Sequence, residues 1–228
     1  MQRNLMADSS VYASDAELYD LFSTAEDADG KVFTALLPHI QGRSVLDVGC
    51  GTGKYVALFA PHARHITGVD AAAAQLAVAK NKNRPLGNVT LVEGDAATAP
   101  LPQPAYDVIL STWAIGTILD PAHRQAVLAR MYSLLAPGGR IFLVENDLGG
   151  DFEEIRGRNN DPQQRTKTYN DFLQAEGFAV HARIDARFVF ASDEAARAVF
   201  QRIWGDAAAA RVPGHEIGHK IIIFTKTS

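Results

Sequence analysis

A chain of 228 residues with 47% hydrophobic content fits one α/β domain with additions and supplies enough apolar side chains for a full core. Its formal net charge of −4 and 21% charged residues disfavour a surface made for polyanions, so no nucleic-acid partner is expected. The chain has no signal-peptide core at Met1 to Ser10, no continuous membrane span and one cysteine, Cys50, which cannot form an internal disulfide; a cytoplasmic protein without a membrane partner is expected.

From Ser14 to about Ile40 the pattern predicts two short helices. Ser14 is a candidate N-cap ahead of Asp15-Ala16-Glu17, and Leu18, Leu21 and Phe22 share helical spacing. Asp27-Ala28-Asp29-Gly30 separates them from Val32, Phe33, Leu36 and Leu37. The run Val45-Leu-Asp-Val-Gly-Cys-Gly-Thr-Gly-Lys-Tyr55 then reads as a buried strand, a glycine-rich turn and a helix start. Without Cβ atoms, Gly49, Gly51 and Gly53 let the backbone turn sharply and approach a ligand, and the helix that follows points free N–H groups at the same space. The spacing is G-x-G-x-G, with Lys54 where a dinucleotide fingerprint carries its third glycine. Asp47, two residues before the first glycine, suits an ammonium group better than a phosphate, so the turn reads as built for a zwitterionic ligand. Cys50 inside the turn reads as a small packing residue.

A helix from about Lys54 to Ala60 ends at Pro61, and His65 to Val69 is a short strand closed by Asp70. That aspartate lies about 17 residues beyond the glycine turn, near the spacing at which an acid meets ribose hydroxyls. Ala71 to about Asn83 is helical, Val89 to Glu93 is a third strand, and Tyr106 to Leu110 a fourth, from whose end Ser111-Thr112-Trp113 emerge toward the ligand side of an open sheet. His123 to Leu135 reads as a helix stopped by Pro137-Gly138-Gly139 before a fifth strand, Arg140 to Val144. Residues 146–165 are polar and glycine-bearing and read as a long loop; a helix over Gln164 to Glu176 and a strand over Phe178 to Phe190 follow. Ser192 to Pro213 is largely helical, and Lys220 to Lys226 is the last strand.

The Asp47-to-Gly53 turn resembles motif I of the class I S-adenosylmethionine-dependent methyltransferases, and Gly94-Asp95-Ala96 and Leu134-Leu-Ala-Pro-Gly-Gly-Arg-Ile141 resemble later landmarks of that family. The resemblance covers roughly Val45 to Glu145. It implies a Rossmann-like, seven-stranded mixed sheet with helices on both faces and the last strand antiparallel, in a single domain. Residues 1–41 would be a helical cap, 42–145 the cofactor core, and 146–165 and 191–215 substrate-side insertions. It implies S-adenosyl-L-methionine as cofactor and S-adenosyl-L-homocysteine as product, with Asp47, Gly49, Cys50 and Gly51 near the methionine portion, Asp70 and Ala71 at the ribose, and Asp95 and Ala96 at the adenine. Tyr19 from the cap and Ser111 join the cofactor side; Tyr12, Trp113, Asn146 and His215 join the substrate side.

His215-Glu-Ile-Gly-His219 matches H-E-x-x-H, but Pro213-Gly214 before it, Gly218 within it and a β-rich run after it are wrong for a zinc-binding helix, and no metal is expected. His215 and His219 stay as candidate general bases, against a plain reading as exposed loop histidines. Ser111-Thr-Trp-Ala114 offers neither the proline-rich signature of base-amine methylation nor a nucleophilic cysteine, so a small-molecule acceptor is expected. A monomer or homodimer methylating O, N, S or C is the reading; a non-catalytic S-adenosylmethionine-binding module and an NAD-dependent oxidoreductase are its rivals.

Overall fold

The computed structural model describes residues 15–101, 106–161 and 164–228. Seven strands form one sheet: β1 (Ser44–Val48), β2 (His65–Asp70), β3 (Val89–Glu93), β4 (Tyr106–Thr112), β5 (Leu135–Asn146), β6 (Ala179–Val189) and β7 (Glu216–Thr227). Their order is β3-β2-β1-β4-β5-β7-β6, parallel through β5, with β7 antiparallel to both its neighbours. This is the mixed sheet that the sequence implies. Strand order reverses between β1 and β4, which opens a crevice at their carboxyl ends where such sheets take ligands.

Three apolar clusters fix the helices. On one face, α2 (Lys31–Ile40), α3 (Lys54–Phe59) and α4 (Ala73–Asn83) bury Leu36, Ile40, Phe59 and Leu76 against Val45, Val108 and Phe142. On the other, α5 (Pro121–Ser133) and α7 (Arg165–Ala175) bury Leu128, Met131 and Leu173 against Leu46, Ile109 and Leu143. A third cluster gathers Phe22 of α1 (Ala16–Ala25), Phe152 of α6 (Gly150–Ile155), Phe200 and Trp204 of α8 (Asp193–Trp204) and Ala208 of α9 (Asp206–Ala209) around Phe188 and Ile217. Each fully buried large apolar side chain contributes about 1.5–3 kcal/mol, so this cluster is enough to seat α1 over the crevice. No helix among the described residues is long and apolar enough to cross a membrane.

Several expectations need correction. Asp15, not Ser14, caps α1: its carboxylate accepts the Leu18 N–H at 3.0 Å, while Ser14 and Tyr12 lie outside the described residues. Leu21 is 63% exposed, because the buried stripe of α1 runs through Ala16, Phe22 and Ala25 instead. Helix α2 is no cap but a layer of the core, with Val32, Leu36 and Ile40 fully buried. Helix α5 starts two residues early, at Pro121 behind an Asp120 cap, and the glycine pair after it lies within β5, whose pairing to β4 shifts register there. Residues 146–165 are not a loose loop, because Phe152 and Ile155 turn part of them into α6. Strand β7 begins at Glu216, since Val189 of β6 extends the pairing that far, and this takes His219 into the sheet.

The turn between α1 and α2 rests on Asp27, whose φ of 50° is left-handed and whose carboxylate oxygens accept the Lys31 and Val32 N–H groups, each at 2.9 Å. Asp27→Ala leaves two helix-start donors without partners and is expected to cost about 1–2 kcal/mol. Thermal unfolding should show Tm lowered by roughly 2–8 °C; an unchanged Tm would refute the capping role.

Candidate active site at the carboxyl ends of β1 and β4

The glycine turn is shaped by what surrounds it. Gly49, Gly51 and Gly53 have φ of 72°, 53° and 77°. A Cβ on Gly49 would stand 2.2 Å from that of Ala114, and one on Gly53 would stand 2.9 Å from that of Ala79. One on Gly51 would stand 2.9 Å from Gln75 Oε1 and 3.1 Å from Tyr19 Cε1, which places Tyr19 of α1 directly over the turn. Contacts under 3.0 Å exclude any side chain at Gly49 and Gly53 without rearrangement.

Asp70 holds the turn from below. Its Oδ2 accepts the Gly51 N–H and its Oδ1 the Ala72 N–H, both at 2.8 Å. The next loop joins it, for Gly94 donates its N–H to the Asp70 carbonyl at 2.9 Å. Asp95 therefore stands beside Asp70, its Oδ1 accepting the Ala97 N–H and its Oδ2 lying 3.0 Å from His123 Nε2. The ends of β1, β2 and β3 thus bring together the glycine turn, Asp70 with Ala71, and Asp95 with Ala96, as the sequence motifs suggested.

Asp47 is the exception to ordinary pairing. It is 1% exposed, and its Oδ1 is buried without a hydrogen-bond partner among the described residues. Burial, with the Asp70 charge nearby, pushes its carboxyl up to about 7. A buried carboxylate left unsatisfied is costly unless something cationic completes it. The chemistry of this donor set fits the ligand that the motifs imply: an ammonium at Asp47, hydroxyls at Asp70 and an amino group at Asp95. Cys50 packs against Gly68, where a Cβ would come within 2.8 Å of its Sγ, and burial pushes its thiol well up, so it acts as a filler.

A pocket opens above the turn between α1 and β4, lined by Tyr19, Glu26, Lys54, Tyr55 and Trp113. Lys54 donates from Nζ to the carbonyls of Ser23, at 2.8 Å, and of Glu26, closing the carboxyl end of α1 as a lysine cap. Trp113 has φ of 52°, rare for a large side chain, and its ring stands 6.1 Å from that of Tyr55 and 5.8 Å from that of His219.

Two expected site residues are placed elsewhere. Ser111 is fully buried and its hydroxyl donates to the Val48 carbonyl at 2.9 Å, so that hydroxyl ties β4 to β1. His215 is half-exposed beside α8, its Nδ1 2.9 Å from Asp193 Oδ1; it precedes β7 and does not line the pocket. His219 is no exposed loop residue: its side chain is 1% exposed, with Nε2 2.8 Å from Asn146 Oδ1 and Nδ1 3.3 Å from Glu26 Oε1. The described residues contain no cluster able to hold a metal ion. Glu26 and Lys54 carry no sequence signal for these roles, since each depends on how α1 docks.

Residues 45–139 match a family model described as a methyltransferase domain. The chain is 31% identical over 138 residues to an uncharacterized methyltransferase of Anoxybacillus flavithermus, covering 60% of this chain and 61% of that one. It is 30% identical over 138 residues to a malonyl-[acyl-carrier protein] O-methyltransferase of Pectobacterium atrosepticum, covering 60% and 52%. It therefore spans less than two thirds of either curated relative. Its fold is similar to that of the N-methyltransferase NodS of Bradyrhizobium japonicum, solved in complex with S-adenosyl-l-homocysteine, with a TM-score of 0.56 and 13% identity over 99% of this chain and 95% of that one. The matched domain, the strand order and the glycine turn agree in making the chain similar to class I S-adenosylmethionine-dependent methyltransferases, with residues 45–139 as the part the methyltransferase-domain model matches.

Proposed function

We propose that the chain transfers a methyl group from S-adenosylmethionine to a nucleophilic atom of a small molecule. The observation that carries this reading is Asp47, a buried carboxylate with an open oxygen at the mouth of a turn too tight for any side chain. Asp47 and the Gly49-to-Gly51 backbone would hold the methionine portion, Asp70 and Ala71 the ribose, and Asp95 and Ala96 the adenine, with Tyr19 as cover. The bound cofactor supplies a methyl carbon already electrophilic through its sulfonium. What remains for the protein is to position the acceptor and exclude water, and α1 with Trp113 encloses the space in which both are done. The NAD-dependent alternative is disfavoured because Lys54 occupies the third-glycine position and is committed to the carbonyls of α1.

Calorimetric titration should show saturable binding of S-adenosylmethionine and S-adenosylhomocysteine and none of NAD. Asp70→Ala should weaken both by about tenfold or more, as expected for loss of a charged hydrogen-bond acceptor. Wild-type protein that is folded, ligand-free and still does not bind would end this reading; tight binding with no transfer to any acceptor would leave a cofactor-binding module.

Binding should also depend on pH through Asp47. Free Asp47 keeps its proton up to about pH 7, and only its ionised form pairs with an ammonium group. S-adenosylhomocysteine affinity is then expected to fall about tenfold per pH unit below 7, with a proton released on binding. Titrations in buffers of different ionisation enthalpy measure that release, and Asp47→Asn should abolish it. Proton release unchanged in the variant would remove Asp47 from the ammonium site.

A further inference from the structure

We propose that Lys54 is the cationic partner of the cofactor's carboxylate, so that one ammonium group both caps α1 and selects a ligand whose amino-acid end is intact. This deepens the methyl-transfer reading and rests on it.

The glycine turn is bracketed by charge, with Asp47 before it and Lys54 after it, and a zwitterionic ligand carries one group for each. An ammonium has three donors and no acceptor. Two of the three at Lys54 go to the carbonyls of Ser23 and Glu26, and both of these acceptors are uncharged. The third makes no hydrogen bond among the described residues; the Nζ stands 5.2 Å from the centroid of the Tyr55 ring. Among the described residues that line the pocket, Lys54 alone is cationic, and it lies there with Gly49, Cys50 and Thr52 of the turn.

The carboxyl groups around Lys54 leave it unmatched. It forms no ion pair among the described residues, although Glu26 and Asp27 are near enough to oppose the fall that burial imposes on its amine. Glu26, pushed up to about 8 mainly by burial, keeps its proton at neutral pH and faces His219 Nδ1 at 3.3 Å. Asp27 commits its oxygens to the Lys31 and Val32 N–H groups at the start of α2 and to the Tyr55 hydroxyl. A partly buried positive charge is therefore held at the pocket wall by two neutral carbonyls. Such a charge is costly until an anion completes it, and a carboxylate accepting from an ammonium is the stronger, charge-assisted kind of hydrogen bond. Asp47 presents the converse case, a buried carboxyl with an open oxygen. An adenosyl ligand that has lost its carboxylate would satisfy Asp47 and leave Lys54 as it was.

Calorimetry at neutral pH with two ligands tests this: S-adenosylhomocysteine, and its decarboxylated analogue with hydrogen in place of the carboxylate. Wild-type protein should bind the first about 10–100-fold more tightly, the range of a hydrogen bond to a charged group. Lys54→Met keeps the aliphatic stem without the charge; S-adenosylhomocysteine should fall to the affinity of the analogue, closing the gap to about twofold. Loss of the α1 cap weakens both ligands alike, so their ratio reads the carboxylate and not the docking of the helix. Lys54→Arg keeps the charge and should keep a gap above about threefold. The proposal is overturned if wild type binds the two ligands within about twofold of each other, if the wild-type gap survives in Lys54→Met, or if the gap falls below about threefold in Lys54→Arg. Should Lys54→Met bind neither ligand, Lys54→Arg decides alone by the same criterion. Failure of the wild type to bind S-adenosylhomocysteine is seen before any variant is compared and would end the methyl-transfer reading itself.

Discussion

The site depends on one ammonium group. Lys54 begins α3 straight out of the glycine turn, and its Nζ reaches back to the carbonyls of Ser23 and Glu26 at the end of α1. One residue thus couples the turn to the helix that covers it. Helix α1 is also held by Phe22 in the third cluster, by Lys82 paired with Asp20 and, at its amino end, by Arg202 on Asp15, while its carboxyl end has Lys54. The amine is partly buried there, and burial lowers it; Glu26 and Asp27 oppose that shift. A neutral replacement would lose the cap and leave those two carboxyl groups without their nearest cation.

The same closure explains why so many acids in this region are perturbed. Asp47 is pushed to about 7, and Glu26 and Glu145 to about 8, each mainly by burial. Glu145 accepts the Tyr169 hydroxyl at 2.9 Å, which lowers it only in part. An acid raised in the folded state binds a proton that the unfolded chain has already released. Its stabilising contribution is therefore complete below the ordinary carboxylate range and is lost as pH rises through about 7 to 8. Such groups weaken the ligand-free fold at neutral pH, and they are clustered where a cationic ligand would restore the balance.

Much of this was legible from residues that act through local rules. The glycine turn, Asp47, Asp70 and the seven strands follow from spacing and from short apolar runs bounded by turn residues, and Asp95 from its motif's resemblance to the family, because a β-strand feeding a tight turn leaves little freedom. What was hidden depends on contacts between distant segments. His219 is a polar residue in a run of Glu216, Gly218 and Lys220, and it reads as a loop until β6 is seen to pair as far as Glu216. The alternation was there, with Ile217, His219 and Ile221 all buried, but a histidine in the inward register looks like an interruption. His215, four residues earlier, stands about 13 Å farther along an extended chain, so the two histidines never shared a task. Glu26 and Phe152 gained their roles only from α1 and α6 meeting across the end of the sheet.

Trp113 shows how the sheet ends and the site begins. Its N–H still donates to the Val144 carbonyl at 2.8 Å, so the ladder between β4 and β5 continues through it. Its φ of 52° nevertheless breaks the strand at that residue, a conformation that costs of order 1–3 kcal/mol for a non-glycine side chain. An extended residue at that position would carry the chain onward over the crevice. The left-handed turn instead sends it into the short helical turn Ile115–Thr117, where the Gly116 N–H meets Glu145, and leaves the indole between Tyr55 and His219. Its Nε1 is buried and without a partner among the described residues. Strain in the backbone and an unsatisfied donor are thus both borne by one aromatic wall of the pocket.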